Sequence, residues 1–434
     1  MDRSEADVAV IGAGVMGCAI AYELSRLGND VLVLERDVGA GSGSTSASSA
    51  IVRFNYSTVS TVAASWESLH RWQAWSDYLG ADPGEPLAAF VRTGGLVLPA
   101  PVQDSELVLS HFDTVGIPYE RWSADRIRQE LPWLDPVRHY PPKPVDSPDF
   151  WATPDGDELS GIWVPDAGFV DDPRLAAQNL MDAARRHGAR FRFRSGVVAV
   201  HKGDGRVTGV ELADGTQVRA PVVVNASGPH SAIVNAMAGA LDDFAVHTRP
   251  LRQEVHEVPA PPGYAAAGPG PFVADPDLGT YFRGTPSGRL LVGGTEPECD
   301  PMQWLDDPDA VDVHVTREVY EAQLYRAARR LPGLTVPGKP VGITGIYDVS
   351  DDWSPIYDRT CVDGFYVAVG TSGNQFKNAP VVGEFLAQLI RACESGHDHD
   401  REPLRLTLAR TGLEVDLGTY SRRRSVGPGA GVLG

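Results

Sequence analysis

The pattern of apolar and polar residues at the front of the chain predicts a strand, a helix and a second strand. Residues 8–11 are apolar without interruption, which is typical of a buried parallel strand. The glycine-rich sequence GAGVMG follows at 12–17, and residues 18–27 then repeat apolar side chains at helical spacing. A second apolar run, 31–34, ends at Glu35. The pattern therefore predicts a β-α-β unit.

The parts of this unit suit the binding of a dinucleotide. Gly12 allows the tight turn out of the strand, Gly14 lets the backbone approach a pyrophosphate, and Gly17 lets the helix pack closely on the sheet. The helix N-terminus offers free N–H groups to the phosphates. Glu35 stands 18 residues after Gly17, where an acid can accept hydrogen bonds from a ribose hydroxyl. An ordinary strand–turn–helix is the alternative, but the combination favours a nucleotide site.

The rest of the pattern predicts more than one domain. A β-meander is expected at 197–219, a strand-rich block begins near residue 246, and helices are expected at 313–330 and 381–393. Nucleotide-binding features at the front, middle and back of the chain can meet at one ligand only if their domain is discontinuous. We therefore predict a two-domain α/β (α+β) protein whose nucleotide-binding domain carries an inserted antiparallel sheet. The predicted boundaries are 1–60, 155–240 and 330–400 for the nucleotide-binding domain, 61–154 and 241–329 for the substrate-binding domain, and 401–434 for a C-terminal extension.

Composition and charge exclude several classes of protein. The chain has 434 residues, enough for two cores, and it has no apolar run of membrane-span length. Its net charge of −19 argues against a nucleic-acid partner, which requires a basic face. The four cysteines are scattered without metal-ligand spacing, so we expect no metal site and a reducing cytoplasm. We also expect no signal peptide, because the first strand begins almost at once.

A loop rich in small residues follows the first β-α-β unit. Residues 39–50 are all Gly, Ala, Ser or Thr, a composition that flexible linkers share. Directly after a nucleotide-binding acid, this composition favours a loop whose amides and hydroxyls lie against a cofactor. Arg53 follows the loop beside an apolar pair, where it suits a carboxylate clamp. A solvated surface arginine is the alternative.

Seven short motifs occur in the same order as in one superfamily of flavoproteins. The chain resembles the FAD-dependent amino-acid and amine oxidoreductases of the D-amino-acid-oxidase superfamily, over residues 6–392. Within it, the chain is most similar to the branch of sarcosine oxidase, dimethylglycine dehydrogenase and the sarcosine oxidase β-subunit. The motifs are VIGAGVMG…LE, the small-residue loop ending in IVR, AGFVDDPRLA, VVVNASGP, PLRQEVHEV, TGIYDVSDDWSPIYD and FYVAVGTSGNQFKNAP.

The resemblance implies a Rossmann-like FAD-binding domain of the glutathione-reductase type with an inserted antiparallel-sheet substrate domain. It places the pyrophosphate on the glycine turn, the ribose on Glu35, and the flavin ring between the small-residue loop and the turn at 373–377. FAD is expected to be non-covalent, because Gly345 and Ala47 stand where some relatives carry an attaching Cys or His. The implied FAD contacts are Gly12, Gly14, Val15, Met16, Gly17, Glu35, Arg36, Ser44, Thr45, Ser48, Ser49, Val198, Ala226, Gly228, Gly373, Asn374, Gln375, Phe376 and Lys377.

The resemblance also implies a reaction. Arg53 and Lys377 match the two basic residues that hold the substrate carboxylate in the sarcosine oxidase branch. The expected reaction is oxidation of a small amine or amino acid, with a secondary or N-methylated amine favoured, by hydride transfer to FAD to give an imine. Tyr281, Phe282 and His256 are expected to line the substrate pocket. The expected catalytic residues are Arg53, Lys377, Tyr281 and His256.

Departures from the family pattern bear on the electron acceptor and on the substrate. Leu291 stands near the position of a lysine that serves oxygen activation in monomeric sarcosine oxidase, so the resemblance leaves O₂ possible as the electron acceptor but does not favour it. Tyr347 replaces the carboxylate-binding arginine of glycine oxidase, which argues against that activity.

Two alternatives stay open from the sequence. A 2-hydroxy acid dehydrogenase requires a general base, for which His247 and His256 are the candidates. A flavin-bearing subunit of a larger complex is the other alternative, with residues 402–418 as a docking element. An oligomer is compatible with either. The basic residues 422–424 are expected to form a frayed tail.

Overall fold

The structure, a computed structural model, describes residues 4–101 and 104–426. The ends of the predicted boundaries at 1–3 and 427–434, and residues 102–103, lie outside the described residues. In the described ranges the α-helices are α1 (Val15–Arg26), α2 (Val59–Gln73), α3 (Trp75–Leu79), α4 (Ser105–Val115), α5 (Ala124–Glu130), α6 (Pro173–Arg186), α7 (Ser231–Ala238), α8 (Arg317–Arg330) and α9 (Ala379–Glu394). The strands are β1 (Val8–Ile11), β2 (Val31–Leu34), β3 (Ile51–Val52), β4 (Phe90–Arg92), β5 (Gly95–Val97), β6 (Glu120–Trp122), β7 (Gly161–Val164), β8 (Gly168–Val170), β9 (Arg190–Arg192), β10 (Val197–Gly203), β11 (Arg206–Leu212), β12 (Gln217–Arg219), β13 (Val222–Asn225), β14 (Thr248–Pro259), β15 (Phe272–Asp275), β16 (Thr280–Gly284), β17 (Arg289–Gly294), β18 (Gln303–Trp304), β19 (Gly342–Ser350), β20 (Ile356–Arg359), β21 (Phe365–Val369), β22 (Arg405–Thr407) and β23 (Glu414–Asp416).

The first domain is built on a parallel sheet with strand order β20-β21-β13-β1-β2-β9, in which only β20 runs antiparallel. Helices α1, α6 and α9 pack on one face, and the β10–β12 meander covers the other. Val8 and Val10 point into the helical core, whereas Ala9 and Ile11 point towards the meander. Burial of both faces explains why β1 is apolar at every position. The predicted β-α-β unit, meander and Rossmann-like fold class are confirmed.

The second domain is a mainly antiparallel sheet with strand order β18-β14-β17-β16-β15-β5-β7-β6, and β19 pairs along the other edge of β14. Helix α8 packs across β14, β16 and β17. Two strands of this sheet, β7 and β19, come from ranges that the sequence analysis assigned to the first domain. Conversely, helix α2 lies mostly in a range that the sequence analysis assigned to the second domain, but it packs against α9 of the first domain. Contacts between distant segments of the chain decide which domain each of these elements belongs to, so the local residue pattern did not reveal it.

The C-terminal segment folds back onto the first domain. Hairpin β22–β23 packs on α2 of the same chain. Arg422 is buried and forms ion pairs with Asp243, Asp358 and Asp400 at 2.5, 2.9 and 2.7 Å. The expectation of a frayed basic tail was therefore wrong, because three carboxylates from other segments neutralise this arginine. Among the described helices, none is both long and apolar enough to cross a bilayer.

Candidate active site

A cleft of about 660 Å³ brings together segments from the front, middle and back of the chain. Its walls are the β1–α1 turn, the small-residue loop after β2, the end of β13, and the turn between β21 and α9. The second domain adds residues of β14, β16 and β19. The volume lies in the range of small-molecule and cofactor sites. The discontinuous site expected from the sequence is therefore assembled in one place.

The glycine turn has space only for glycine at two positions. A Cβ on Gly12, whose φ is +102°, would lie 2.5 Å from the carbonyl oxygen of Ala226. A Cβ on Gly17 would lie 1.9 Å from the carbonyl oxygen of Gly12. Gly17 is not among the described cleft-lining residues, so its part is to pack α1 on the turn. Gly14, which precedes α1, does line the cleft and leaves the helix N-terminus open to an anion.

Glu35 joins the end of β2 to the glycine turn. Its carboxylate accepts hydrogen bonds from the backbone N–H of Ala13 at 2.7 Å and of Asp37 at 2.8 Å. A carboxylate has about four acceptor positions, so two such bonds leave capacity for ribose hydroxyls. The position of Glu35 in the cleft lining fits the predicted ribose contact.

The small-residue loop is an ordered wall of the cleft. Thr45 accepts a hydrogen bond from the N–H of Val15 at 3.0 Å, and Ser44 donates one to the carbonyl of Ile346 at 2.6 Å. Ser49 hydrogen bonds to the hydroxyl of Tyr281 at 2.9 Å. The loop thus connects α1 of the first domain to two strands of the second. Its composition is that of a linker, but its contacts are those of a binding loop.

The cleft also exposes large apolar side chains that a flat ligand would cover. Val198 is 48% exposed, Ile233 42%, Ile343 44% and Val313 68%, and all four line the cleft. Apolar groups that cluster at a concave site gain free energy when a ligand removes them from water. Aromatic ring systems at either end of a dinucleotide fit this lining.

Two cations lie at the end of the cleft formed by the β21–α9 turn. The ammonium of Lys377 donates a hydrogen bond to the carbonyl of Asn374 at 2.6 Å, and Arg53 donates one to the carbonyl of Asn55 at 2.6 Å. The ring of Tyr56 lies 5.1 Å from the Lys377 ammonium and 5.2 Å from the Arg53 guanidinium. Both cations are buried and both line the cleft. Arg53 is therefore not a solvated surface arginine, which was the alternative considered from the sequence.

The electrostatics of this end favour an anionic ligand. Burial, and then the positive charge of Arg53, lower the pKa of Lys377 well below its usual value. Burial also lowers the pKa of Arg53, and Tyr56 and Tyr347 offset only part of the effect. In the described part of the chain Lys377 has no carboxylate partner within salt-bridge distance. A bound carboxylate would stabilise the charged form of both groups.

The sequence model of one family, described as DAO: FAD dependent oxidoreductase, matches residues 7–389. The chain belongs to this family. FAD is its cofactor, and the chain is an oxidoreductase. The cleft, with its glycine turn, carboxylate and apolar walls, is the part of this flavoenzyme that fits FAD.

Relatives and solved structures are similar to the flavoenzyme over most of its length. FAD-dependent oxidoreductase domain-containing protein 1 of Bos taurus is 25% identical over 421 residues, which cover 88% of this chain and 81% of that protein. D-amino acid dehydrogenase of Methylobacterium sp. (strain 4-46) is 26% identical, with coverage of 88% and 94%. The crystal structure of L-proline dehydrogenase from P. horikoshii superposes with a TM-score of 0.74 at 22% identity, covering 97% and 98% of the chains. At that identity the last comparison concerns the fold alone.

Two tyrosines form a further wall of the flavoenzyme's cleft. The hydroxyl of Tyr281 hydrogen bonds to that of Ser49 at 2.9 Å, and Tyr281 interacts electrostatically with Tyr347. The ring of Tyr347 lies so close to Gly373 that a Cβ there would approach it to 2.4 Å. Burial raises the pKa of both tyrosines, so both hydroxyls keep their protons and are available as hydrogen-bond donors. Tyr281 lies where the sequence analysis expected it.

His256 is not part of the cleft. It is fully buried on the opposite face of the second sheet, with its imidazole 3.1 Å from Glu254 and 2.9 Å from Gln323 of α8. Side chains alternate along a strand, so Gln253 and Val255 of β14 face the cleft and His256 faces α8. Phe282 is turned away for the same reason, because its neighbour Tyr281 faces inwards. The expectation that these two residues line the pocket was wrong.

The structure also brings in residues that sequence reasoning missed. Tyr56 contacts the turn at Asn374, 318 residues away in the chain. Asp348 accepts hydrogen bonds from the Ser231 hydroxyl at 2.7 Å and from the Gly370 N–H at 2.6 Å. Burial outweighs these bonds and raises the pKa of Asp348 to about 7. Tyr56 belongs to no local pattern that signals its role, and the motif TGIYDVSDDWSPIYD contains Asp348 without indicating what it binds.

The remaining predicted cofactor contacts line the same cleft. These residues are Val15, Met16, Arg36, Ser44, Thr45, Ser48, Ser49, Val198, Ala226, Gly228, Gly373, Asn374, Gln375 and Phe376.

Proposed function

We propose that this flavoenzyme oxidises a small amine or amino acid that carries a carboxylate, with a secondary or N-methylated amine favoured, and yields an imine. The observation that carries the proposal is the pair of buried cations, Arg53 and Lys377, against the ring of Tyr56. An anion bound between two buried positive groups stabilises their charges and offsets part of the cost of burying them. A substrate carboxylate is such an anion. The same pair supports the similarity to the sarcosine oxidase branch.

The residues of the chain would bind and orient the substrate. Bound flavin would supply the hydride acceptor for the α-carbon of the amine. Arg53 and Lys377 would hold the carboxylate, and its negative charge would favour the protonated form of Lys377, whose pKa is lowered by burial and by Arg53. Tyr281 and Tyr347 would donate hydrogen bonds from their hydroxyls. Phe272 and Phe376 add apolar surface that helps to exclude water.

FAD is proposed to be non-covalent and the enzyme cytoplasmic. A Cβ on Gly345 would lie 2.9 Å from the Cβ of Ala47, so the two positions suited to attachment in relatives face each other here without a Cys or His. The four cysteines, all within the described ranges, are free thiols, in keeping with a reducing compartment.

The alternatives have less support. Of the two histidines considered as a base for 2-hydroxy acid oxidation, His256 is buried against α8, and the side chain of His247 is 62% exposed beside Asp351. His230 does line the cleft, but it contacts Arg36 and Asp309, away from Lys377. The proposed docking element at 402–418 contains a hairpin that packs on α2 of its own chain.

Anaerobic bleaching of the flavin absorbance tests the proposal. The panel contains N-methyl, cyclic and primary amino acids, the decarboxylated amine of each, and 2-hydroxy acids. We expect one class of amino acid to bleach the flavin rapidly and its decarboxylated partner to react far more slowly. Bleaching by 2-hydroxy acids alone, or by none of the panel, would overturn the proposal.

A further inference from the structure

A segment of the second domain crosses to the nucleotide end of the cleft. We call residues 305–316, between β18 and α8, the strap. Both of its ends are anchored to β14 of its own domain. The N–H of Leu305 donates to the carbonyl of Pro250 at 2.9 Å, and Arg252 donates to the carbonyls of Asp312 and His314 at 3.0 and 2.6 Å. Both ends of the strap are therefore held against β14.

The tip of the strap contacts the other domain. Asp309 lies in a short 3₁₀ turn (Pro308–Ala310) that the carboxylate of Asp307 caps. Its own carboxylate accepts a hydrogen bond from Arg36 at 2.6 Å and lies 3.0 Å from the imidazole of His230. Arg36 follows β2 and His230 follows β13, so both belong to the first domain. One aspartate thus connects the strap to two strand ends of the nucleotide-binding sheet.

The strap also contributes apolar surface. Val311 and Val313 line the same cleft as Val198 and Ile233 of the first domain. Val313 is 68% exposed. A ring system bound at this end would remove valines of both domains from water.

We propose that the strap closes the nucleotide half of the cleft over bound FAD, and that Asp309 fastens it to Arg36 and His230. The second domain thereby holds the cofactor as well as the substrate, and Asp309 is a positioning residue for FAD. The Arg36 and Asp309 side chains are 47% and 56% exposed, so their ion pair is of the weak, salt-sensitive kind that can open. Opening of the strap would then limit the release of FAD.

The rate of FAD release from the holoenzyme tests the proposal. Flavin fluorescence is followed after dilution of wild type, Asp309→Asn and the matched control Asp306→Asn, at low and high NaCl concentration. Asp306 is exposed on the same strap and is not among the described residues that line the cleft. We expect Asp309→Asn to release FAD about two- to fivefold faster at low salt, the size expected for an exposed ion pair. At high salt the difference should vanish, and the control should match wild type.

A charge exchange gives an independent test. Arg36→Asp and Asp309→Arg should each accelerate the release of FAD, whereas the double variant should release it more slowly than either single variant. Three results would each overturn the proposal. They are release of FAD from Asp309→Asn at the wild-type rate at both salt concentrations, an equal acceleration in Asp306→Asn, and additive acceleration in the double variant. These readouts do not depend on which substrate the enzyme oxidises.

Discussion

The ammonium of Lys377 and the guanidinium of Arg53 share one aromatic neighbour, the ring of Tyr56, at 5.1 and 5.2 Å. The Tyr56 hydroxyl donates a hydrogen bond to the carbonyl of Asn374, which also accepts the bond from Lys377. Tyr56 therefore sets the position of both cations relative to the β21–α9 turn. The end of the cleft that carries the proposed chemistry depends on one residue with no charge of its own.

Removal of either cation should weaken substrate binding. We expect Arg53→Ala and Lys377→Met to raise the KM of a carboxylate substrate about ten- to hundredfold, since a hydrogen bond to a charged group contributes about 1.5–3 kcal/mol. Steady-state kinetics measure the change. Arg219→Ala, at an arginine whose side chain is 81% exposed, is the control and should leave KM unchanged. An unchanged KM in both site variants would show that the clamp is assigned wrongly.

Two substitutions of Tyr56 should distinguish the contribution of its hydroxyl from that of its ring. Tyr56→Phe loses the bond that the hydroxyl donates to Asn374 and the long one that it accepts from Asn378, and it should lower the free energy of unfolding by about 1 kcal/mol. Tyr56→Leu also loses the aromatic contact with both cations, and it should raise KM beyond the value for Tyr56→Phe because cation–π contacts contribute about 0.5–2 kcal/mol. Thermal unfolding and kinetics on the same preparations provide the two readouts. A wild-type KM for Tyr56→Leu would contradict the role given to the ring.

Asp348 should make stability depend on pH. Burial raises its pKa from 3.8 to about 7, so the folded state binds a proton that the unfolded state has already lost. Its contribution to stability is fully present below pH 3.8 and is lost as pH rises through about 7. The stability of wild type relative to Asp348→Asn should therefore decline between these values. Chemical denaturation at a series of pH values tests this, and a difference that does not vary with pH would refute it.

His256 should affect stability and leave substrate binding unchanged. His256→Ala removes a buried imidazole that contacts Glu254 and Gln323, and we expect a loss of about 1–3 kcal/mol in the free energy of unfolding. KM should stay near the wild-type value, because the side chain faces α8. Tyr281→Phe is the comparison inside the cleft, and there we expect altered kinetics. A hundredfold fall in kcat for His256→Ala at unchanged stability would reverse the assignment.

The local features of this protein were determined by its sequence. The β1–α1–β2 unit and the β10–β12 meander were predicted because residue periodicity and glycine conformation act over a few positions. Glu35, the small-residue loop and the turn at 373–377 were also predicted as parts of one site, and the cleft unites them. Local residue patterns were enough for the β-α-β unit and the meander, whereas the turn at 373–377 was placed beside the flavin by the family resemblance.

Only the tertiary structure decided which face a side chain presents and which distant segments meet. The faces of β14 and β16 depend on register within a long-range sheet, so sequence placed Tyr281 correctly and His256 wrongly. Strand β19 joins the second sheet by pairing with β14, although it lies in a range assigned to the first domain. Tyr56, Asp309 and Arg422 owe their roles to partners that lie far away in the chain.

 The separation is 318 residues from Tyr56 to Asn374, 273 from Asp309 to Arg36 and 179 from Arg422 to Asp243. No local pattern encodes contacts of this kind, because they form only when the two sheets and the C-terminal segment are packed together.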